Sequence, residues 1–206
     1  MGEVRRTSRD RQNELTDAAL HIIATKGISA LTTRSLAAHV GLSTGAIFNH
    51  FASLEALLEA VVARVESVLE STYPPATLPP VERLTRFLEA RSTAVGKQLG
   101  ILRLVLSEQF LLALPKAASE RLAACVHKTR AFALQCVRDG QRAGALRADL
   151  AAETLVPILM GTAQALALSP VKSQQRAAEA RAVIESLLTL VRTATPRDAR
   201  GEGGAP

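Results

Sequence analysis

Four histidines and two cysteines are the side chains best suited to metal binding or nucleophilic chemistry. They are His21, His39, His50, His127, Cys125 and Cys136. Cys125 and His127 are two residues apart on a predicted helix, so their side chains point about 200° apart and cannot readily share a metal. The sequence contains no glycine-rich phosphate loop and no nucleophile elbow. We therefore expect no enzyme, catalytic residue, metal or cofactor, and keep a helical small-molecule-binding enzyme as a remote alternative.

The two cysteines raise a second possibility, a redox sensor that uses Cys125 or Cys136. Cys125 and Cys136 are eleven residues apart in a predicted helix, about 16 Å at 1.5 Å per residue. A disulfide requires Cα atoms within about 7 Å, so both are expected to be free thiols in a reducing compartment. Neither lies beside an obvious helix N-terminus that would activate it, and buried inert thiols are more common.

Residues 31–51 (LTTRSLAAHVGLSTGAIFNHF) have the pattern of a nucleic-acid-binding motif. Two short predicted helices, the first over 34–40 and the second over 44–51, are joined by the turn 40–43, as in a helix-turn-helix. Gly41 suits the left-handed backbone that such a turn needs. Small residues begin the second helix, so its N-terminus can enter a major groove, and its free N–H groups suit phosphates.

Helical periodicity extends through the rest of the chain. The pattern predicts a first helix that follows residue 11 and ends at Lys26 before Gly27. Thr32 and Thr33 offer an N-cap for the second helix, and Ser43 and Ser53 are expected to cap the third and fourth. Four prolines in residues 73–80 indicate a linker. Further helices are predicted over 81–96, 99–113, 116–142, 150–168 and 173–194. No run alternates as a strand would, so we expect an all-α protein of about nine helices with a disordered tail from Thr195.

The run from Ala18 to Val62 resembles the N-terminal domain of the TetR family of bacterial transcriptional regulators. The resemblance implies an N-terminal arm and helix-turn-helix DNA-binding domain (1–52), a connecting helix (53–73), a ligand-binding and dimerisation domain (74–194) and a tail (195–206). It also implies a homodimer that binds a palindromic double-stranded DNA operator, acts as a repressor and is released by a small molecule. The free thiols and the lack of an apolar signal core in residues 1–12 lead us to expect a cytoplasmic protein.

The resemblance assigns DNA-binding roles to residues of the motif. Arg34 is the best candidate for reading guanine, because arginine pairs with guanine through two hydrogen bonds. The implied DNA-binding residues are Thr33, Arg34, Ser43, Thr44, Gly45, Ala46, Phe48, Asn49 and His50. A basic arm of Arg5, Arg6, Arg9 and Arg11 is an alternative to a merely solvated tail.

Two residues depart from the family pattern. Phe48 stands where tyrosine is usual and Leu54 where lysine is usual, so two phosphate contacts are lost. The fourth helix also contains Glu55, Glu59, Glu66 and Glu70. We therefore expect weak affinity for the DNA backbone or an unusual operator.

The C-terminal residues are assigned with less support from their pattern. Expected ligand-binding residues are Phe87, Arg103, Glu108, Phe110, Phe132 and Gln164. The expected dimer interface is formed by Leu155, Leu159, Thr162, Leu166, Val183, Leu187 and Val191. An uncharged run at 154–171 is predicted to be a buried helix and not a membrane span.

The net charge of +6 does not itself locate a DNA site. Residues 1–73 contain 7 basic and 8 acidic side chains, whereas residues 74–206 contain 18 and 11. The positive excess therefore lies outside the predicted DNA-binding domain, and DNA binding is expected to depend on local residues of the motif.

Overall fold

The computed structural model describes residues 7–97, 101, 112–168 and 173–192. The regular elements in those ranges are helices, which confirms the predicted all-α fold. They are α1 (Ser8–Lys26), a 3₁₀ turn (Ile28–Ala30), α2 (Thr33–Val40), α3 (Thr44–Phe48), α4 (Leu54–Glu70), α5 (Pro80–Lys97), α6 (Lys116–Arg142), α7 (Ala152–Leu168) and α8 (Ser173–Val191). Most of the predicted helix at 99–113, and the tail from Thr195, lie outside the described residues.

A capping box starts α1 earlier than the sequence suggested. The backbone N–H of Asp10 donates to Thr7 Oγ1 at 3.1 Å, and the backbone N–H of Thr7 donates to the Asp10 carboxylate at 3.2 Å. Arg9 and Arg11 therefore belong to α1 and not to a flexible arm, which corrects that prediction. Arg5 and Arg6 lie outside the described residues.

The first four helices enclose one hydrophobic core. Its centre contains Leu15 of α1, Leu36 of α2, Ile47 of α3 and Leu57 of α4, each at most 2% exposed. Packing against a shared core fixes the orientation of α2 and α3 relative to α1 and α4, since interiors are close-packed.

A second core lies among α5, α6, α7 and α8. Phe87 of α5 is fully buried in this second core. Leu122 of α6 is also fully buried, but it lies in the first core, so α6 contributes side chains to both cores. The predicted buried helix is α7, whose Leu155, Val156 and Leu159 lie in the second core. Within the described part of the chain, no helix is long and apolar enough to cross a membrane.

Two ion pairs join α4 to α6. Glu66 accepts hydrogen bonds from the Arg121 guanidinium, and Glu70 accepts from Lys128 Nζ at 2.7 Å. These pairs partly neutralise two of the four glutamates that were expected to oppose DNA along α4. They also attach the C-terminal half of α4 to the second half of the molecule.

Candidate DNA interface and effector cavity

The start of α2 is fixed by a reciprocal pair of hydrogen bonds. The Ser35 backbone N–H donates to Thr32 Oγ1 at 3.0 Å, and the Thr32 backbone N–H donates to Ser35 Oγ at 2.9 Å. Thr32 is therefore the N-cap and Thr33 the first helical residue. This places Thr33 and Arg34 in the exposed first turn of α2.

The turn between α2 and α3 has the expected backbone. Gly41 has φ 70° and ψ 33°, a left-handed conformation that glycine adopts without strain. Ser43 then caps α3, because its Oγ accepts the backbone N–H of Ala46 at 3.2 Å. Helix α3 ends at Phe48, three residues earlier than predicted, and Phe51 turns into the core at 8% exposure.

All nine predicted DNA-binding residues lie on α2, on α3 or in the segments that flank α3. The exposed residues are Arg34, Ser43, Thr44, Gly45, Phe48 and Asn49, whereas Thr33, Ala46 and His50 are half-buried. Ile47, between them in sequence, points into the core at 2% exposure. Burial of this one side chain turns the opposite side of α3 towards solvent.

Arg34 is available for an external anion. In the described ranges it takes part in no ion pair, whereas Arg64 of the same region is paired with Asp17 at 3.1 Å. Gln12 Nε2 donates to the His50 carbonyl at 2.9 Å and attaches the end of the motif to α1. The motif therefore presents one free guanidinium beside the N-terminus of a helix.

A cavity of about 350 Å³ lies among α4, α5, α6 and α7. Most of its lining is apolar, and its polar side chains are those of Arg91, Thr129, Arg130 and Gln164. A small number of polar groups in an apolar cavity of this size is typical of small-molecule sites.

Residues 15–61 match the family model described as "Bacterial regulatory proteins, tetR family". This N-terminal segment is that of the TetR family of bacterial regulatory proteins. The match spans the segment from the middle of α1 to the first half of α4, so it includes the whole motif whose geometry is given above.

A similar protein is the HTH-type transcriptional repressor DhaR of Mycobacterium sp. (strain GP1). It is 25% identical over 157 residues, which are 74% of this chain and 78% of DhaR. The structure of the ketosteroid transcriptional regulator KstR2 of Mycobacterium tuberculosis has the same fold. Its TM-score is 0.77 at 21% identity, over 94% of this chain and 98% of KstR2. AibR, solved in complex with isovaleryl coenzyme A and operator DNA, gives a TM-score of 0.69 at 15% identity, over 88% of this chain and 97% of AibR.

The predicted ligand-binding residues occupy different places in this chain. Gln164 lines the cavity. Phe87 and Phe132 instead form an aromatic cluster with Tyr73, with ring centroids 4.8–5.5 Å apart. Arg103, Glu108 and Phe110 lie outside the described residues.

Arg91 of α5 is a cavity residue that the sequence analysis missed. Its signal was present, because Leu84, Phe87, Leu88 and Arg91 follow the i, i+3, i+4, i+7 spacing of one helix face. The first three are fully buried, and Arg91 on the same face is 5% exposed. The periodicity alone therefore places the charged Arg91 on a buried face of α5.

Four of the seven residues predicted for the dimer face are buried within their own chain. Leu155, Leu159, Leu166 and Val191 are at most 8% exposed because they fill the second core of their own chain. Thr162 and Leu187 are half-buried, and Val183 is 38% exposed. The sequence shows that α7 and α8 are apolar on several sides, but not which side the chain itself covers. The sides left uncovered present Pro157, Ile158, Gly161, Ala165 and Leu168 on α7, and Ala178, Ala182, Val183, Ser186 and Leu190 on α8.

Both cysteines are free thiols in environments that oppose ionisation. Burial raises the pKa of Cys136 to about 11, and Cys136 has no exposed surface. Burial also raises the pKa of the half-buried Cys125, with Glu66 and Glu70 adding to the effect. Since the thiolate is the form that oxidants attack, this chemistry disfavours the redox-sensing alternative.

Proposed function

We propose that this TetR-family regulator binds a palindromic operator as a homodimer, represses transcription, and releases the operator when a small molecule enters the cavity. The observation that supports it most is the exposed α3, held by its Ser43 cap and by Ile47 while Arg34 beside it remains unpaired. The chain then acts by binding and not by catalysis.

In this proposal the DNA-facing residues have separate tasks. The first turn of α2, with Thr33 and Arg34, approaches a phosphate and a base edge, and Arg34 is suited to guanine. Helix α3 enters the major groove with Thr44, Gly45 and Asn49, where small side chains permit close approach. Residues 1–52 form the DNA-binding domain, 53–73 the connection and 74–194 the effector and dimer domain.

The dimer forms through the uncovered sides of α7 and α8 in our proposal. Exposed apolar residues there include Ile158 and Leu190, which are 50% and 71% exposed in the single chain. One α3 reads only a few base pairs, and two-fold symmetry doubles that contact over an inverted repeat.

Helix α4 is the element that connects the cavity to the motif. Leu69 near its C-terminal end lines the cavity, whereas Leu57 near its N-terminal end packs with α1, α2 and α3. A ligand that displaces Leu69 tilts α4 and changes the separation of the two α3 helices. The ligand must favour the spacing that does not fit DNA, and such coupling is typically about 1–3 kcal/mol.

Footprinting on the DNA upstream of the coding sequence tests the proposal. The native protein is expected to protect a discrete site, and Arg34→Ala is expected to lose it. Arg138→Ala is the matched control, because it removes the same charge from an exposed pair with Glu153 on α6. Equal footprints for native protein and Arg34→Ala contradict the assigned role of Arg34. Loss of the footprint in both Arg34→Ala and Arg138→Ala would assign the effect to the net charge of the protein and not to Arg34.

A further inference from the structure

Arg91 is a buried cation whose hydrogen-bonding capacity is largely unused. Its side chain lines the cavity, yet the residue is only 5% exposed. Nη2 donates to Thr129 Oγ1 at 3.2 Å, whereas Nε and Nη1 are buried without a hydrogen-bond partner. The guanidinium carbon lies 5.3 Å from the Tyr73 ring centroid and 4.9 Å from that of Phe87.

Burial of this charge without an anion is costly. A guanidinium stays protonated in proteins, so it cannot escape the cost by losing its proton, even though burial lowers the pKa of Arg91. Removing an ion from water costs several kcal/mol unless a counter-ion and hydrogen bonds compensate. The aromatic rings supply part of that compensation.

The surroundings in the described ranges provide no such counter-ion. None of the thirteen described residues that line the cavity is acidic. The carboxylate of Glu70, which influences Arg91 from a distance, is already bound to Lys128 Nζ at 2.7 Å. Within the described ranges, the two unused donors of Arg91 have no acceptor, and an anionic ligand in the cavity would supply one.

The rest of the cavity suits an apolar body attached to that acceptor. Its lining includes Ile101, Val156 and Met160, with Gln164 as a neutral polar group. A volume of about 350 Å³ is near the lower end of the range for small-molecule sites, which fits one compact ligand.

We propose that the ligand of this cavity is an amphipathic carboxylate, whose carboxylate binds Arg91 and whose hydrocarbon body lies against α7. The identification of this ligand as the effector rests on the function proposed above. Arg91 then discriminates ligands by charge, because a neutral analogue leaves the guanidinium buried and unpaired.

Calorimetric titration of the purified chain without DNA tests the ligand class. The probes are octanoate, decanoate and phenylbutyrate, each compared with its primary amide, which has nearly the same shape and no charge. At least one acid is expected to bind tenfold or more tightly than its amide. Amides that bind as tightly as the acids, or no binding by any of the acids, overturn the proposal.

Two arginine variants test whether Arg91 is the residue that distinguishes the acid from its amide. Arg91→Met is expected to reduce the affinity of the acid to that of its amide. Arg138→Met, which changes an exposed arginine of α6 that does not line the cavity, is expected to retain the preference. A preference that persists in Arg91→Met overturns the proposal. The acid–amide comparison on the native chain remains decisive if Arg91→Met does not fold.

Octanoyl coenzyme A provides a further comparison, because its thioester has no carboxylate at that end of the chain. Tighter binding of the thioester than of octanoate contradicts a carboxylate at Arg91. Operator release is measured separately. If an acid binds without releasing the operator, the proposed ligand class stands but the acid is not the effector. If the protein gives a discrete footprint but binds no acid, the proposed DNA-binding function stands and the proposed ligand class is overturned.

Discussion

Two apolar side chains of the DNA-facing segment distinguish this chain from the pattern of its family. Phe48 is 50% exposed at the end of α3, and Leu54 is half-buried at the start of α4. The family resemblance leads us to expect a phenol and an ammonium at these places. Each difference removes a group that can bind phosphate, so the two residues can be tested by restoring it.

The two restorations are expected to differ in their dependence on salt. Phe48→Tyr adds a hydrogen bond from a neutral donor to a charged phosphate, about 1.5–3 kcal/mol, and strengthens operator binding with little change in salt dependence. Leu54→Lys adds a charge and steepens the plot of log affinity against log salt by about 0.9 for each added phosphate contact. Fluorescence anisotropy at several salt concentrations measures both. An unchanged slope for Leu54→Lys contradicts a position next to phosphate.

At the scale of the elements, the turn between α2 and α3 depends on one glycine. Gly41 has φ 70°, but a Cβ built there has no atom within 4 Å. Gly41→Ala therefore introduces backbone strain without a clash, and we expect a loss of about 1–2 kcal/mol in the free energy of unfolding. Urea unfolding measures this loss.

Gly45, on α3 of the same motif, provides the matched control. Its Cβ would meet only Ser43 Oγ at 4.0 Å, and its φ is not positive. Gly45→Ala is expected to stabilise the fold by up to about 1 kcal/mol, because alanine has the higher helix propensity. Equal effects of the two substitutions would show that the left-handed turn does not determine the stability of the motif.

Local chemistry made the N-terminal helices predictable from sequence. The caps at Thr32, Ser43 and Ser53 and the left-handed Gly41 were recognised from residue type, and the structure has them there. The start of α1 was missed because the Thr7–Asp10 capping box precedes the apolar periodicity. Local patterns of this kind do not depend on distant contacts.

The cavity and the uncovered helix faces depend on contacts between distant segments, which single-sequence patterns do not supply. Leu159 and Ile158 are neighbours on α7 with similar side chains, yet the first is 1% exposed and the second 50%. The packing of α5, α6 and α8 against α7 separates them. Arg91 was overlooked for a related reason, since arginine is almost always exposed unless it is paired.

At the scale of the whole molecule, substitutions on the uncovered apolar sides of α7 and α8 test the proposed dimer. Ile158→Asp and Leu190→Asp place buried charges in that interface and are expected to halve the molar mass measured by light scattering. Leu112→Asp is the control, because Leu112 is 86% exposed and lies outside both helices. A native chain that is monomeric at micromolar concentration contradicts the dimer, as does an unchanged mass of both variants.

The central claim is that two copies of the chain, each through its α2 and α3, bind one specific DNA sequence. Selection of random-sequence duplexes by the purified protein, followed by sequencing of the bound DNA, tests it directly, because every possible operator of that length competes for the protein. We predict that the native chain enriches an inverted repeat with half-sites about one helical turn apart, and that Arg34→Ala enriches none. Recovery of no shared sequence by the native chain, or of the same sequence by both proteins, would contradict the account.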